Sequence, residues 1–312
     1  MKIVLTGASG LVGSAFARAA SRRGHEVTGV VGTFGGGLQG LTARLALNLT
    51  DPESVVGPVL QAFPDVVVNC AAISEPAACE TDPVRSQAMN VDLPQRLAQL
   101  AHHLGARLVH VSSEQVFDGT QTTPYTERDA VSPLNLYGQQ KVASERAVMA
   151  AAPQGGVIVR APLLMGDSPG GRRALHERLL ADWAAGRLVR LYTDEFRQPC
   201  TAENLAEVLV ELSERTDTRG IFHWGGAELV SRFELGLRIR HHFKLSDGEA
   251  PITPTHRGDA PAISRHRPAC LALDVGSLAG RLKTRPQTLD EQLSSLAIPP
   301  SCREWYHGRL PT

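Results

Sequence analysis

Thr6-Gly7-Ala8-Ser9-Gly10-Leu11-Val12-Gly13 stands between a short apolar run, Lys2–Thr6, and a helical pattern, Leu11–Arg23, that Gly24 is placed to stop. The spacing is Gly-x-x-Gly-x-x-Gly. Each glycine has its own physical reason. The first makes a turn too sharp for a Cβ, the second lets a diphosphate approach bare backbone, and the third lets helix and strand pack closely. The helix start then offers free N–H groups and partial positive charge to the phosphates. A glycine triplet alone also occurs in plain strand-to-helix turns. Placed directly after the first strand and opening the first helix, it reads as a nucleotide site built from Gly7, Ser9, Gly10, Leu11, Val12 and Gly13.

Outward from that turn, strands and helices alternate. Glu26–Val31, Asp65–Asn69, Arg107–Ser112 and Val157–Arg160 read as strands. Asp51–Phe63, Val84–Leu104 and Asn135–Ala152 read as helices, and Gly32–Gly40 as a surface loop. Nearly continuous apolar strands separated by helices predict an α/β fold of Rossmann type, a doubly wound parallel sheet covered on both faces. After residue 165 the rhythm weakens. Ser168–Arg173 reads as a Gly/Arg loop, Arg172–Gly186, Thr201–Glu214 and Val230–Phe243 as helices, Gly220–Trp224 as a strand, and the stretch up to Pro268 as irregular. The expected division is a nucleotide-binding domain, 1–165 plus about 200–225. A smaller mixed substrate domain would take 166–199 and 226–312.

Composition excludes several classes. The 312 residues carry 32 Lys+Arg against 32 Asp+Glu, so there is no overall field to attract nucleic acid or an anionic membrane. No apolar stretch approaches the roughly 18 residues of a spanning helix. The five cysteines, Cys70, Cys79, Cys200, Cys270 and Cys302, form no CxxC pair, which predicts reduced thiols and a cytoplasmic setting. No HExxH or Cys/His ligand spacing occurs, and no metal site is expected.

Tyr137-Gly138-Gln139-Gln140-Lys141 puts a phenol and an ammonium on one helix face. A tyrosine with a pKa of about 10 holds its proton too firmly to relay it at neutral pH. A nearby cation is expected to lower that value. Ser112-Ser113, at the tip of the preceding strand, can hydrogen-bond a carbonyl beside the phenol. The acidic residue that normally ends strand two of NAD sites is missing; Gly32-Thr33 stands there. That favours NADP over NAD; Arg22, Arg23 and Arg44 are candidate phosphate partners only by proximity in sequence, and each reads more readily as a solvated surface arginine.

Taken together, Gly7-x-x-Gly10-x-x-Gly13, Asn69-Cys70-Ala71-Ala72, Ser112/Ser113 and Tyr137-x-x-x-Lys141 resemble the extended short-chain dehydrogenase/reductase superfamily. Val111-Ser112-Ser113-Glu114-Gln115-Val116-Phe117-Asp118-Gly119, Pro124-Tyr125-Thr126-Glu127 and Arg267-Pro268 are similar to dTDP-4-dehydrorhamnose reductases. Phe222-His223-Trp224-Gly225-Gly226 is similar to a branch containing the regulatory β subunit of methionine adenosyltransferase. The resemblance covers residues 1 to about 295.

The resemblance implies that Tyr137 protonates a substrate carbonyl, Ser113 fixes its oxygen, and Lys141 bonds the nicotinamide ribose and polarises Tyr137. It implies further cofactor contacts at Thr33, Asn48, Leu49, Cys70, Ala71 and Ala72, and at Asn90, Ser112 and Pro162. Glu114, Gln115 and Arg197 would face the substrate, with Arg197 on a sugar diphosphate or in a structural ion pair. The expected partner is a small nucleotide-linked sugar, with a homodimer as a family expectation. Where those reductases carry Asp-Tyr, this chain has Glu114-Gln115. The expected activity is reduction of a nucleotide-linked 4-keto sugar. A cofactor-binding regulatory subunit and a sugar epimerase or dehydratase stay open beside it.

Overall fold

The apolar runs of the first half become the interior of one sheet. The computed structural model describes residues 1–259, 261 and 265–308; residues 260, 262–264 and 309–312 of the expected second domain lie outside the described residues. The strands β1 (Lys2–Thr6), β2 (Glu26–Val31), β3 (Ala43–Ala46), β4 (Val66–Asn69), β5 (Arg107–Ser113) and β6 (Gly156–Ala161) are parallel neighbours. All six residues of β6 are buried, as a strand covered on both faces requires.

Helices α1 (Leu11–Arg22), α2 (Val56–Ala62), α3 (Pro76–Thr81), α4 (Pro83–Gln87), α5 (Leu93–Leu104) and α6 (Leu136–Ala151) connect these strands. Two differences from the sequence reading stand out. The edge strand β3, Ala-Arg-Leu-Ala, is mostly exposed and carries no apolar run, so its sequence gives no strand signal. The helix expected over Val84–Leu104 is broken by a π-helical turn at Ala88–Asp92, a local irregularity that often sits at functional sites.

In the second half the chain forms β7 (Leu164–Met165), α7 (Leu175–Ala184), β8 (Val189–Tyr192), β9 (Phe196–Arg197), β10 (Cys200–Thr201), α8 (Ala202–Glu214), β11 (Gly220–His223), β12 (Val230–Ser231), α9 (Arg232–His242), β13 (Ile252–Thr255) and β14 (Cys270–Leu271). Strand β11 returns to pair with β6, completing a seven-stranded sheet in the order β11-β6-β5-β4-β1-β2-β3. The other short strands make three small sheets of their own.

The core lies in layers. One face of the large sheet packs Phe16, Val159, Leu205 and Trp224 between α1 and α8, and the other packs Val67, Leu97 and Ile158 against α2, α5 and α6. A separate core holds Met165, Leu180, Trp183 and Ile239. Among the described residues no helix is long and apolar enough to cross a membrane. All five cysteines are free.

Candidate active site

Strand order reverses between β1 and β4, and open parallel sheets bind ligands in the crevice at such a point. The glycine turn lies there. Gly7 has φ +71°, and a Cβ on it would lie 2.7 Å from Ala71 N and 2.8 Å from the Cys70 carbonyl carbon. Thus the tip of β4 forms one wall of the turn, which sets Cys70 and Ala71 against Gly7. A Cβ on Gly13 would collide with the Gly7 carbonyl, so the third glycine is a packing requirement. Gly10 N–H donates to Gly7 O at 2.8 Å. Gly10 begins α1, whose first turn has no side-chain cap and no acidic residue. Its leading N–H groups have no intrahelical acceptor. This uncapped helix start beside bare glycine backbone fits the diphosphate of a dinucleotide.

Ser113, Tyr137 and Lys141 converge from β5 and α6, and all three are buried. Asn135 Oδ1 accepts the Gly138 N–H at 2.9 Å and so fixes the start of α6. Ser113 Oγ accepts the Gln115 N–H at 3.2 Å, an arrangement that leaves the Ser113 hydroxyl proton to be donated elsewhere. Burial pushes the Tyr137 phenol above its usual range, while the neighbouring Ser113 hydroxyl favours the ionised form. Burial lowers the Lys141 ammonium to about 8, with Glu145 opposing the shift. Lys141 Nζ donates to Val111 O at 2.8 Å and stands 6.0 Å from the Tyr137 ring centre. The expected acidification of the phenol by Lys141 is therefore corrected. The ammonium lies over the ring and is committed to a backbone carbonyl, and burial of the phenol dominates.

Beside this trio sits a buried ion cluster. Arg197 Nε is 3.3 Å from Glu114 Oε1, and Arg197 Nη2 is 3.2 Å from Glu195. Arg197 also donates to Phe196 O at 2.6 Å and Pro268 O at 3.0 Å. The donors expected to face a sugar diphosphate are thus taken up inside the protein, and Arg197 ties the Pro268 segment to the end of β5. Burial raises Glu114 to about 7 against the pull of Arg197, and its Oε2 is buried without a hydrogen-bond partner. Gln115 Oε1 accepts from Asn135 Nδ2 at 2.9 Å, so it braces α6.

Several expected ligand contacts are turned to other work. Ser112 donates inward to Glu145 Oε1 at 2.5 Å. Asn90, inside the π-helical turn, accepts the Ile73 N–H at 2.9 Å and donates to Gln140 at 2.8 Å. It locks the loop after β4 onto α6 and is wholly buried. Leu49 is in the core, and Asn48 Oδ1 accepts from Thr50 at the end of β3. Thr33 lies exposed just past β2, and Pro162 is buried just past β6. Ala72 follows Ala71 in the same loop. Of the three candidate arginines, Arg22 pairs with Glu207 at 2.7 Å and Arg23 with Glu214 at 2.6 Å. Arg44 instead donates to Gly36 O and lies over the Phe34 ring.

Sequence reading missed the buried support under the trio. Glu145 pairs with Arg160 at 2.7 Å. Thr6 donates to Asn69 at 2.6 Å, and Asn69 Nδ2 is 3.0 Å from His110. The i, i+4 spacing of Lys141 and Glu145 was a usable signal; the others come from separate strands and leave none. Asp167, His176 and Glu177 bring ligand-type atoms within 4.8 Å of one another. The Glu177 oxygens, however, already accept from Ser168, Arg173 and Ala174, so the carboxylate holds the start of α7.

The chain has relatives among known proteins. The chain is 32% identical over 288 residues to methionine adenosyltransferase 2 subunit beta of Mus musculus, covering 89% of this chain and 81% of that protein. It is 30% identical over 302 residues to a probable low-salt glycan biosynthesis reductase, Agl14, of Haloferax volcanii, covering 95% and 97%. A crystal structure of dTDP-4-dehydrorhamnose reductase from Bacillus anthracis in complex with NADP superposes with a TM-score of 0.80 at 19% identity, covering 94% of this chain and 96% of that one. The chain matches the family described as RmlD substrate binding domain over residues 1–298, and it belongs to that family.

Proposed function

We propose that the protein is an NADPH-dependent reductase of a carbonyl on a nucleotide-linked sugar, with a 4-keto deoxysugar as the substrate class. The observation that carries this reading is the convergence of Ser113, Tyr137 and Lys141 beside a glycine turn at the switch point of a parallel sheet. The NADP complex of the Bacillus anthracis protein supports the cofactor. Residues 1–165 with about 200–225 form the cofactor half in this reading, and the remainder holds the sugar.

A bound nicotinamide supplies the hydride. The chain's own part is to hold the carbonyl and deliver a proton. The Ser113 hydroxyl, with its oxygen engaged by Gln115 N–H, donates to the carbonyl oxygen and orients it. Tyr137, kept protonated by burial, gives its proton to that oxygen as negative charge develops. A phenol held above its usual pKa is a donor at neutral pH, which suits reduction. Lys141, held over the Tyr137 ring by its bond to Val111 O, is the residue placed to hold the nicotinamide ribose. Placing such groups is worth on the order of 10²–10⁴ in rate for the proton transfer.

The test is to incubate the pure protein with NADPH and dTDP-, UDP- and GDP-linked keto sugars, following absorbance of the reduced nicotinamide. Turnover that Tyr137→Phe abolishes while NADPH binding persists is expected. NADPH binding without turnover on any sugar overturns the reductase reading. That outcome would favour a regulatory subunit, a reading supported by the Mus musculus relative and by Glu114-Gln115 in place of Asp-Tyr.

A further inference from the structure

The loop between β7 and α7 brings Arg173 within reach of the glycine turn. Its backbone is fixed at several points. Glu177, 1% exposed, accepts the Ser168 N–H at 2.7 Å, the Ser168 hydroxyl at 2.7 Å, and the N–H groups of Arg173 and Ala174 at 2.8 and 2.9 Å. Gly171, with φ +64°, packs against Pro299. The loop is therefore pinned from both ends, and Arg173 is the residue its geometry throws toward α1.

The Arg173 guanidinium ends at the mouth of the glycine turn. Its Nη1 is 4.0 Å from where a Cβ on Gly10 would sit. Among the described residues no acceptor takes that guanidinium, and the side chain is exposed. The nearby carboxylates are otherwise engaged. Glu203 pairs with Arg18 at 3.0 Å, and Asp167 Oδ1 accepts the Ala297 N–H at 3.1 Å. A free cation thus confronts the positive end of a twelve-residue helix that has no acidic residue in its first turn. Like charges set face to face are unfavourable unless an anion lies between them. A diphosphate is such an anion, and a guanidinium fork suits its oxygens.

We propose that Arg173 is a cofactor-binding residue, pairing the diphosphate of the dinucleotide from the side opposite the glycine turn. The cofactor then bridges the loop of the second half to the start of α1. This rests on the dinucleotide reading above and adds a residue that the glycine motif does not contain.

The experiment measures dissociation constants of NADPH and NADH by fluorescence titration for wild type, Arg173→Ala and Arg173→Lys, at two salt concentrations. Arg173→Ala is expected to weaken both dinucleotides by a similar factor of about ten or more, and to flatten the salt dependence. Arg173→Lys should recover part of the loss. Thermal unfolding should barely change, because the guanidinium holds no other residue. A loss confined to NADPH would move Arg173 to the 2′-phosphate and overturn the assignment, as would unchanged affinity for both. A wild type that binds neither dinucleotide would instead overturn the cofactor reading itself.

Discussion

The Lys141 ammonium lies 6.0 Å from the centre of the Tyr137 ring and is bonded to Val111 O, not to the phenol oxygen. A buried charge held in this way is unfavourable for stability. The Lys141 pKa is lowered to about 8 from its usual 10.5. Below 8 both folded and unfolded chains carry the proton, and the burial penalty is fully felt. Between about 8 and 10.5 the unfolded chain binds more protons, so stability rises with pH. Lys141→Met is therefore expected to raise the melting temperature at pH 7, with the gain shrinking toward pH 10. Reductase activity should be lost. Calorimetry of both proteins across that range checks it, and a Met variant less stable at pH 7 would contradict it.

Glu114 titrates in the opposite sense. Its folded pKa, about 7, lies above its usual 4.5. Between those values the folded protein binds more protons than the unfolded chain, so stability falls as pH rises from about 4.5 to 7. Glu114→Gln removes that slope. Urea unfolding at pH 5 and pH 8 should show wild type losing stability relative to the variant, by roughly 2–3 kcal/mol from a shift of this size. Parallel curves for the two proteins would mean that Glu114 stays ionised throughout.

The three glycines of the turn separate binding from folding. Gly10 opens toward the crevice, where its nearest backbone neighbour would be Gly7 O at 3.0 Å, whereas a Cβ on Gly13 collides with the Gly7 carbonyl. Gly10→Val is expected to stay folded and lose NADPH affinity by about a hundredfold or more, since its side chain fills the place of the phosphates. Gly13→Val should instead lower the melting temperature sharply, through overpacking of α1 on the Gly7–Ala8 turn. Calorimetry with a binding titration on each variant separates the two effects. A folded Gly10→Val protein that still binds NADPH tightly would remove the diphosphate from this turn.

Among the described residues, Arg44 is the candidate arginine that lacks a carboxylate partner, since Arg22 and Arg23 are ion-paired. Wild type is expected to bind NADPH more tightly than NADH, and Arg44→Ala to narrow that ratio by about tenfold with NADH affinity unchanged. Titration of both dinucleotides decides it; an unaltered ratio would leave Arg44 out of cofactor discrimination.

Much of the sheet was legible because its strands are bare apolar runs, β1, β4 and β6 above all, each bounded by glycine, proline or polar residues. β3 was not, because an edge strand half open to water needs no such run. The π-helical turn that swings Asn90 onto Ile73 is likewise invisible. Its residues, Ala-Met-Asn-Val-Asp, suit a plain helix, and the bonds of Asn90 to Ile73 and Gln140 that accompany the wider turn join segments distant in sequence. The second half is less legible because strands of two to four residues are too short to display a period. At the site, the motif residues were found where spacing along one element reports them. The Glu145–Arg160 pair and the reach of Arg173 toward Gly10 depend on segments far apart in the chain. The expected acidic phenol failed because helical spacing says which side chains share a face, not which atom a cation touches.

The outermost strand of the large sheet, β11, is laid against β6 only after the chain has travelled from Pro162 to Arg219 through other structure. During synthesis, a chain emerging as far as Met165 would hold β6 as a naked hydrophobic margin, its Gly-Val-Ile-Val-Arg-Ala backbone unmatched on one side. Such margins recruit strands from other molecules. A truncation at that point should therefore clump rather than yield a working half, and the protein can be trusted as a unit only once its late strand has docked.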